Sequence, residues 1–106
     1  MGKAWLLIMK YVFDIDNTIC THEDNYENAK PLIDNINKLN RLYDGGHIIW
    51  LQTARGTETG IDWHDVTETQ LDRWNVKYHK LLFDKPSADF YVDDKGINAI
   101  DFFKGE

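Results

Sequence analysis

The chain has 106 residues, 42% of them hydrophobic and 13% aromatic, and a net charge of −6. That supports one small domain spanning 1–106 with a real core. The acidic balance excludes the basic face that a broad nucleic-acid footprint needs, so no nucleic-acid partner is expected. A single cysteine, Cys20, excludes an internal disulfide and fits a reducing cytoplasm. No stretch approaches the roughly 20 apolar residues that cross a bilayer, so no membrane partner is expected.

The N-terminal stretch runs from Lys3 through Trp5-Leu6-Leu7-Ile8-Met9. It is apolar but lacks a small-residue cleavage site, so it reads as the opening of the first strand or as a leader before a start at Met9. The first strand lies within Leu6 to Phe13, a near-continuous apolar run suited to a strand covered on both faces. Thr21 to Lys30 is polar and reads as a loop. Pro31 then suits a helix first turn, and Leu32, Ile33, Ile36, Leu39, Leu42 and Tyr43 follow at helical spacing up to Gly45-Gly46.

His47 to Gln52 is a second strand, and Thr53 to Gly60 a loop rich in Thr and Gly. Asp62 is placed to cap a second helix, with Val66, Leu71 and Trp74 inward and Asn75 as its stop. Tyr78 to Phe83 reads as a third strand, and Phe90-Tyr91-Val92 as a very short fourth. Lys95 to Phe103 completes the chain as a helix or strand. This order predicts an α/β fold: a small three-layer Rossmann-like parallel sheet.

The chemistry gathers at the strand ends. Asp14 and Asp16 sit two residues apart in Asp14-Ile15-Asp16-Asn17-Thr18, directly behind Tyr11-Val12-Phe13. In an extended chain they face the same side. Two like charges that close call for a divalent cation or a shared proton. Thr53 and Arg55 follow the second strand, Lys85 the third, and Asp93-Asp94 the fourth. A parallel sheet brings those ends to one edge. Any one of these residues alone reads equally as a turn former or cap. Together they read as a divalent-metal site beside an anion site, and oxygen-only acidic ligands suit Mg²⁺ better than Zn²⁺. Cys20 has no partner base and reads as a small packing residue.

Asp14-Ile15-Asp16-Asn17-Thr18, Thr53, Lys85 and Asp93-Asp94 resemble, in order and spacing, the four motifs of the haloacid dehalogenase (HAD) superfamily of phosphotransferases. The resemblance runs from about Tyr11 to the C-terminus. More narrowly, Thr53-Ala54-Arg55-Gly56, Lys85-Pro86-Ser87-Ala88-Asp89 and the short length resemble the small phosphatases of capsular polysaccharide biosynthesis clusters.

The resemblance implies Asp14 as a nucleophile forming an aspartyl-phosphate, and Asp16 as general acid and then base. An acid at that second position favours a phosphatase; the ion-pumping ATPases that share the motifs carry Thr there. Mg²⁺ would rest on the Asp14 carboxylate, the Asp16 main-chain carbonyl and Asp93, with Asp94 orienting a metal-bound water or pairing with Lys85. Thr53 and Lys85 would hold the phosphoryl oxygens. Asn17, Thr18, Ala54 and Arg55 would line the substrate side, Thr18 equally serving to close the turn and Arg55 equally pairing with surface acids. His22, Trp63 and His64 are weaker candidates for the pocket wall.

Superfamily members usually carry a cap domain inserted after the first motif or between the second and third. Here Ile19 to Lys30 and Gly56 to Asp84 are too short to hold one. An uncapped site is therefore expected, closed to water by a homo-oligomer or a bulky substrate. The leading expectation is a Mg²⁺-dependent phosphomonoesterase acting on a small phosphorylated substrate, a sugar phosphate or capsule precursor. A nucleotide or polynucleotide end phosphatase is the second reading, and a non-catalytic phospho-ligand binder the third.

Overall fold

A computed structural model describes residues 7–105. The reading of residues 1–6 as a strand opening or leader lies outside the described residues. Three parallel strands, β1 (Lys10–Asp14), β2 (Ile48–Gln52) and β3 (Lys80–Leu82), form one sheet in the order β1-β2-β3. Helix α1 (Ile33–Asp44) joins β1 to β2, α2 (His64–Arg73) joins β2 to β3, and α3 (Ala99–Lys104) closes the described chain. The α/β, Rossmann-like architecture expected from the sequence is present. No cap domain stands among the described residues: between β1 and α1 there is only the 3-10 turn Tyr26–Asn28.

Register fixes which side chains share a face. Tyr11 pairs with Ile49, Phe13 with Leu51, and Leu51 with Leu81, so these residues point to one side. Phe13, Ile49 and Leu51 are buried there with Ile36 and Leu39 of α1 and Leu71 of α2. Burying a side chain of that size stabilises by about 1.5–3 kcal/mol. Phe102 and Phe103 of α3 close over the β1 end of this face, Phe102 packing at an angle against Tyr11 and Phe13 and Phe103 stacking on Phe13. The other face carries Lys10, Val12, Ile48, Trp50 and Lys80, with both lysine ammoniums lying over the Trp50 ring.

The helices begin and end for local reasons. α1 starts at Ile33 rather than at Pro31, because residues 31–32 are tied to the turn after β1: Pro31 bridges Cys20, and Leu32 N donates to Ile19 O at 2.9 Å. The helix ends at Gly45, and Gly46 follows with φ of 95°, where an L side chain is strained. The cap position of α2 is Trp63, one residue past the expected Asp62, though Asp62 Oδ1 does accept from His64 N at 2.9 Å; α2 stops before Asn75, which takes φ of 57°. In α3 the Asn98 side chain accepts from Ile100 N at 2.9 Å.

Three strand expectations need correction. β1 is not covered on both faces: the helices pack on the side of Phe13, Ile49 and Leu51, and Val12 on the other side is 51% exposed. β3 is shorter than Tyr78 to Phe83, in part because the ring Nδ1 of His79, not a backbone carbonyl, accepts from Ile49 N at 3.0 Å. Phe90-Tyr91-Val92 is not a strand. Phe90 is 85% and Val92 98% exposed, and residues 83–98 carry no strand or helix. Pro86, Ser87, Asp89, Asp93, Asp94 and Gly96 are all poor strand formers, and three apolar residues cannot outweigh them. Among the described residues, no helix is long and apolar enough to cross a membrane.

Candidate active site

Beyond β1 the chain turns at once. Thr18 N and Ile19 N both donate to Ile15 O, at 3.2 and 3.0 Å, and Asn17 N donates to Cys20 O at 2.8 Å. This winding needs a left-handed residue at 17, where Asn17 has φ of 63°; Asn tolerates that conformation better than most side chains. The buried residues Ile15, Ile19 and Cys20 anchor the turn in the core, leaving Asp14 and Asp16 only half-buried. The turn thus spends its apolar residues inward and its acids outward.

Asp14, Asp16, Asn17, Thr53, Ala54, Arg55 and Lys85 line one cavity of about 520 Å³ at the carboxyl ends of the strands. Tyr26 and Trp63 form part of its wall, with ring centroids 4.9 Å apart and edge to face. Lys85 Nζ lies 2.5 Å from both oxygens of Asp14 and 3.9 Å above the Tyr91 ring. The Asp14 side chain is 42% exposed, so it faces the cavity while paired. Thr53 is nearly buried; its N donates to Leu82 O and its Oγ1 accepts from Arg55 N at 3.0 Å. A hydroxyl that accepts one bond keeps its own proton to donate.

Arg55 has two readings, a contact with substrate and a pairing with surface acids. Its side chain is fully buried. Nε donates to Asp16 Oδ2 at 3.0 Å and Nη2 to Asp16 Oδ1 at 2.8 Å, a bidentate pair. Nη1 donates to Thr67 Oγ1 at 2.9 Å and Gln70 Oε1 at 2.7 Å, and Nη2 also meets Cys20 Sγ at 3.8 Å. The guanidinium has five N–H donors, and these contacts engage them. Arg55 therefore holds Asp16 rather than a ligand.

Of the two readings of Thr18, closing the turn is the one the geometry fits: it is buried, absent from the cavity lining, and its carbonyl accepts from Asn35 Nδ2 at 2.9 Å. His64 stacks on Phe83 outside the cavity, while His22 and Trp63 do line it. Asp93 and Asp94 lie outside the cavity on the exposed segment that failed to form a strand. A hydrogen bond from Lys95 N, and then Asp94, hold the Asp93 carboxyl below the usual carboxylate range.

The Mg²⁺ ligand set expected from Asp14, Asp16 and Asp93 is therefore not assembled. Among the described residues no group of three or more His, Cys, Asp or Glu converges as a metal site. The cation on Asp14 is the Lys85 ammonium. As placed, Asp14 and Asp16 stand together without Asp93, and no step below runs through a metal.

Cys20 is fully buried, and burial, then the Asp16 carboxylate, push its thiol up to about 12. It is a packing residue, as expected, and a poor nucleophile. The sequence reading missed Thr67 and Gln70, both buried on α2. A signal was present: two polar residues three apart, flanked by Val66 and Leu71 on the inward side of a helix. Tyr26 was also missed, because it lies in a stretch that looked like an ordinary polar loop.

A crystal structure of a target protein from Vibrio cholerae is similar to this chain, with a TM-score of 0.82 and 27% identity over 91% of this chain and 88% of that one. The α/β fold and the placement of its elements are thus those of a known structure. No family model matches the sequence, and no curated protein matches it.

Proposed function

We propose that this protein is a phosphomonoesterase that works through an aspartyl-phosphate on Asp14. The observation that carries the reading is the Asp14 carboxylate, exposed on the cavity floor, held by Lys85 Nζ at 2.5 Å, with the Asp16 carboxylate on the same turn. An aspartate that faces an open cavity beside a lysine, with a second carboxylate within the same turn, suits nucleophilic attack followed by proton transfer.

In the first half of the reaction an Asp14 oxygen attacks phosphorus and the bond from phosphorus to the ester oxygen breaks. Asp16 gives its proton to the departing alkoxide. In the second half Asp16 takes a proton from water, the water oxygen attacks phosphorus, and the Asp14–phosphorus bond breaks to release inorganic phosphate. The Lys85 ammonium and the Thr53 hydroxyl supply positive charge and a donor for the equatorial oxygens that gain charge in the transition state. Asp16 Oδ1 accepts from Arg55 Nη2 and from Cys20 Sγ, whereas Oδ2 accepts from Arg55 Nε alone and keeps a further lone pair for the proton.

Mg²⁺ belongs to the proposal on the strength of the four-motif resemblance. It requires Asp93 to approach from the segment where it now lies. The aromatic pair Tyr26 and Trp63 suits the apolar face of a sugar ring, and the net charge of −6 disfavours a nucleic-acid end. The uncapped opening suits a bulky substrate or a second copy as its cover.

The test is a panel of phosphate esters with purified protein and Mg²⁺. Phosphate release from sugar phosphates and from an activated aryl phosphate is expected. Silence across the panel, with folded protein, would remove the proposal.

A further inference from the structure

The Asp16–Arg55 pair is not an isolated salt bridge. Arg55 Nη1 reaches two acceptors on α2, Thr67 Oγ1 and Gln70 Oε1, which are 0% and 4% exposed. Gln70 also donates from Nε2 to the Tyr26 backbone carbonyl at 2.7 Å. Tyr26 in turn presents its ring to the guanidinium, 4.7 Å from the Arg55 Cζ, and lines the cavity. One amide side chain therefore connects the cavity wall to the buried arginine, and the arginine grips both oxygens of Asp16. No hydrogen-bonding atom of a buried side chain in this region lacks a partner.

Such a network has one geometry. A glutamine offers a single acceptor and a single amino group on a planar amide, and here both are engaged. A planar guanidinium fixed at one nitrogen fixes the plane of the carboxylate it clasps at the others. From these contacts we infer that Gln70 and Thr67 are positioning residues for the acid–base step: they set Arg55, and Arg55 sets the direction in which Asp16 presents its proton to the leaving oxygen. The inference rests on the phosphatase reading, since it assigns the network to Asp16 in that role. Neither residue touches substrate.

The chemistry supplies a selective readout. An alkoxide leaving from a sugar phosphate needs a proton as the bond breaks, whereas a nitrophenoxide is stable without one. A misdirected Asp16 slows formation of the aspartyl-phosphate from the first and spares it from the second, while the later hydrolysis, common to both, does not enter kcat/KM. A residue that merely supports the fold slows both alike.

The experiment compares kcat/KM for a hexose phosphate and for 4-nitrophenyl phosphate in wild type, Gln70→Met, Thr67→Val and Thr67→Ser. Gln70→Met and Thr67→Val are expected to lower the hexose phosphate rate by at least about tenfold and the aryl rate by less than about threefold, a part of the effect of a general acid. Thr67→Ser keeps the hydroxyl and is expected to hold both rates near wild type. Equal losses on both esters, or no loss on either, would overturn the inference. Should Gln70→Met not fold, Thr67→Val carries the same comparison.

A crystal structure of the Gln70→Met or Thr67→Val variant provides the arm that is independent of turnover. The Arg55 guanidinium is expected to shift and the Asp16 carboxylate to rotate with it; both unmoved would overturn the inference. If wild type hydrolyses neither ester, the phosphatase reading and the acid–base role fall together, and the variant structure then decides only whether the network fixes Asp16.

Discussion

Replacing Arg55 with alanine should unfold more of this protein's stability than any surface charge change. The substitution removes a fully buried guanidinium and leaves Asp16, Thr67 and Gln70 without their shared donor. Breaking a buried ion pair from one side costs about 3–5 kcal/mol, because the remaining charge stays desolvated. The Asp16 side chain is 16% exposed and recovers some hydration, which places the loss near the lower bound, about 3 kcal/mol. For a domain of this size that is a fall in Tm of roughly 12–24 °C. The assay is urea and thermal unfolding followed by circular dichroism. Lys77→Ala is the control: Lys77 and Asp44 pair at 2.7 Å, but their side chains are 47% and 58% exposed. That pair should contribute less than about 1 kcal/mol. If Arg55→Ala and Lys77→Ala lose similar stability, the buried network does not exist as described.

Other outcomes follow from the same contacts. Lys85→Met should abolish phosphate release while shifting Tm by only a few degrees, since Asp14 remains partly hydrated without its partner; the measurement is activity beside thermal unfolding. Gly56→Ala should cost at least about 2 kcal/mol, read from the urea midpoint, because Gly56 has φ of 85° and an added Cβ would lie 2.2 Å from the Ile61 carbonyl oxygen. The thiol of Cys20 is pushed from about 9 to about 12, so the folded state binds that proton more tightly than the unfolded one. Its contribution to stability is complete below pH 9 and is lost as pH rises towards 12. Near pH 8, alkylation of Cys20 should be at least about 100-fold slower in the native protein than in urea. EDTA should remove activity and Mg²⁺ restore it, with Asp93→Asn raising the Mg²⁺ needed by at least about tenfold; an unchanged Mg²⁺ response would show that residues 90–94 stay outside the site.

Much of the fold was legible because it rests on local pattern. The apolar run to Phe13, the helical spacing of Ile36 and Leu39, and the stop at Gly45-Gly46 each translate directly into β1, α1 and its end. Phe90-Tyr91-Val92 was misread because apolar character without a paired neighbour does not make a strand, and Asp89 and Asp93-Asp94 crowd it at both ends. Asp14, Asp16, Thr53 and Lys85 were legible as one cluster because strand ends of a parallel sheet share an edge.

Arg55 was not legible in the same way. Its partners, Thr67 and Gln70, lie more than ten residues on and reach it only because α2 turns that face inward. An arginine after a strand looks the same in sequence whether it reaches for a phosphate or clasps a carboxylate. The difference is made by burial, which sequence spacing does not report.

The central claim is a covalent phosphate on Asp14, and the most direct measurement is a phosphorylated ester labelled with ³²P, quenched in acid during turnover. Label that remains on the protein, is released by hydroxylamine, and maps to the peptide carrying Asp14 is the predicted result, with none retained by Asp14→Asn. Phosphate release without retained label, or equal labelling of Asp14→Asn, would contradict it.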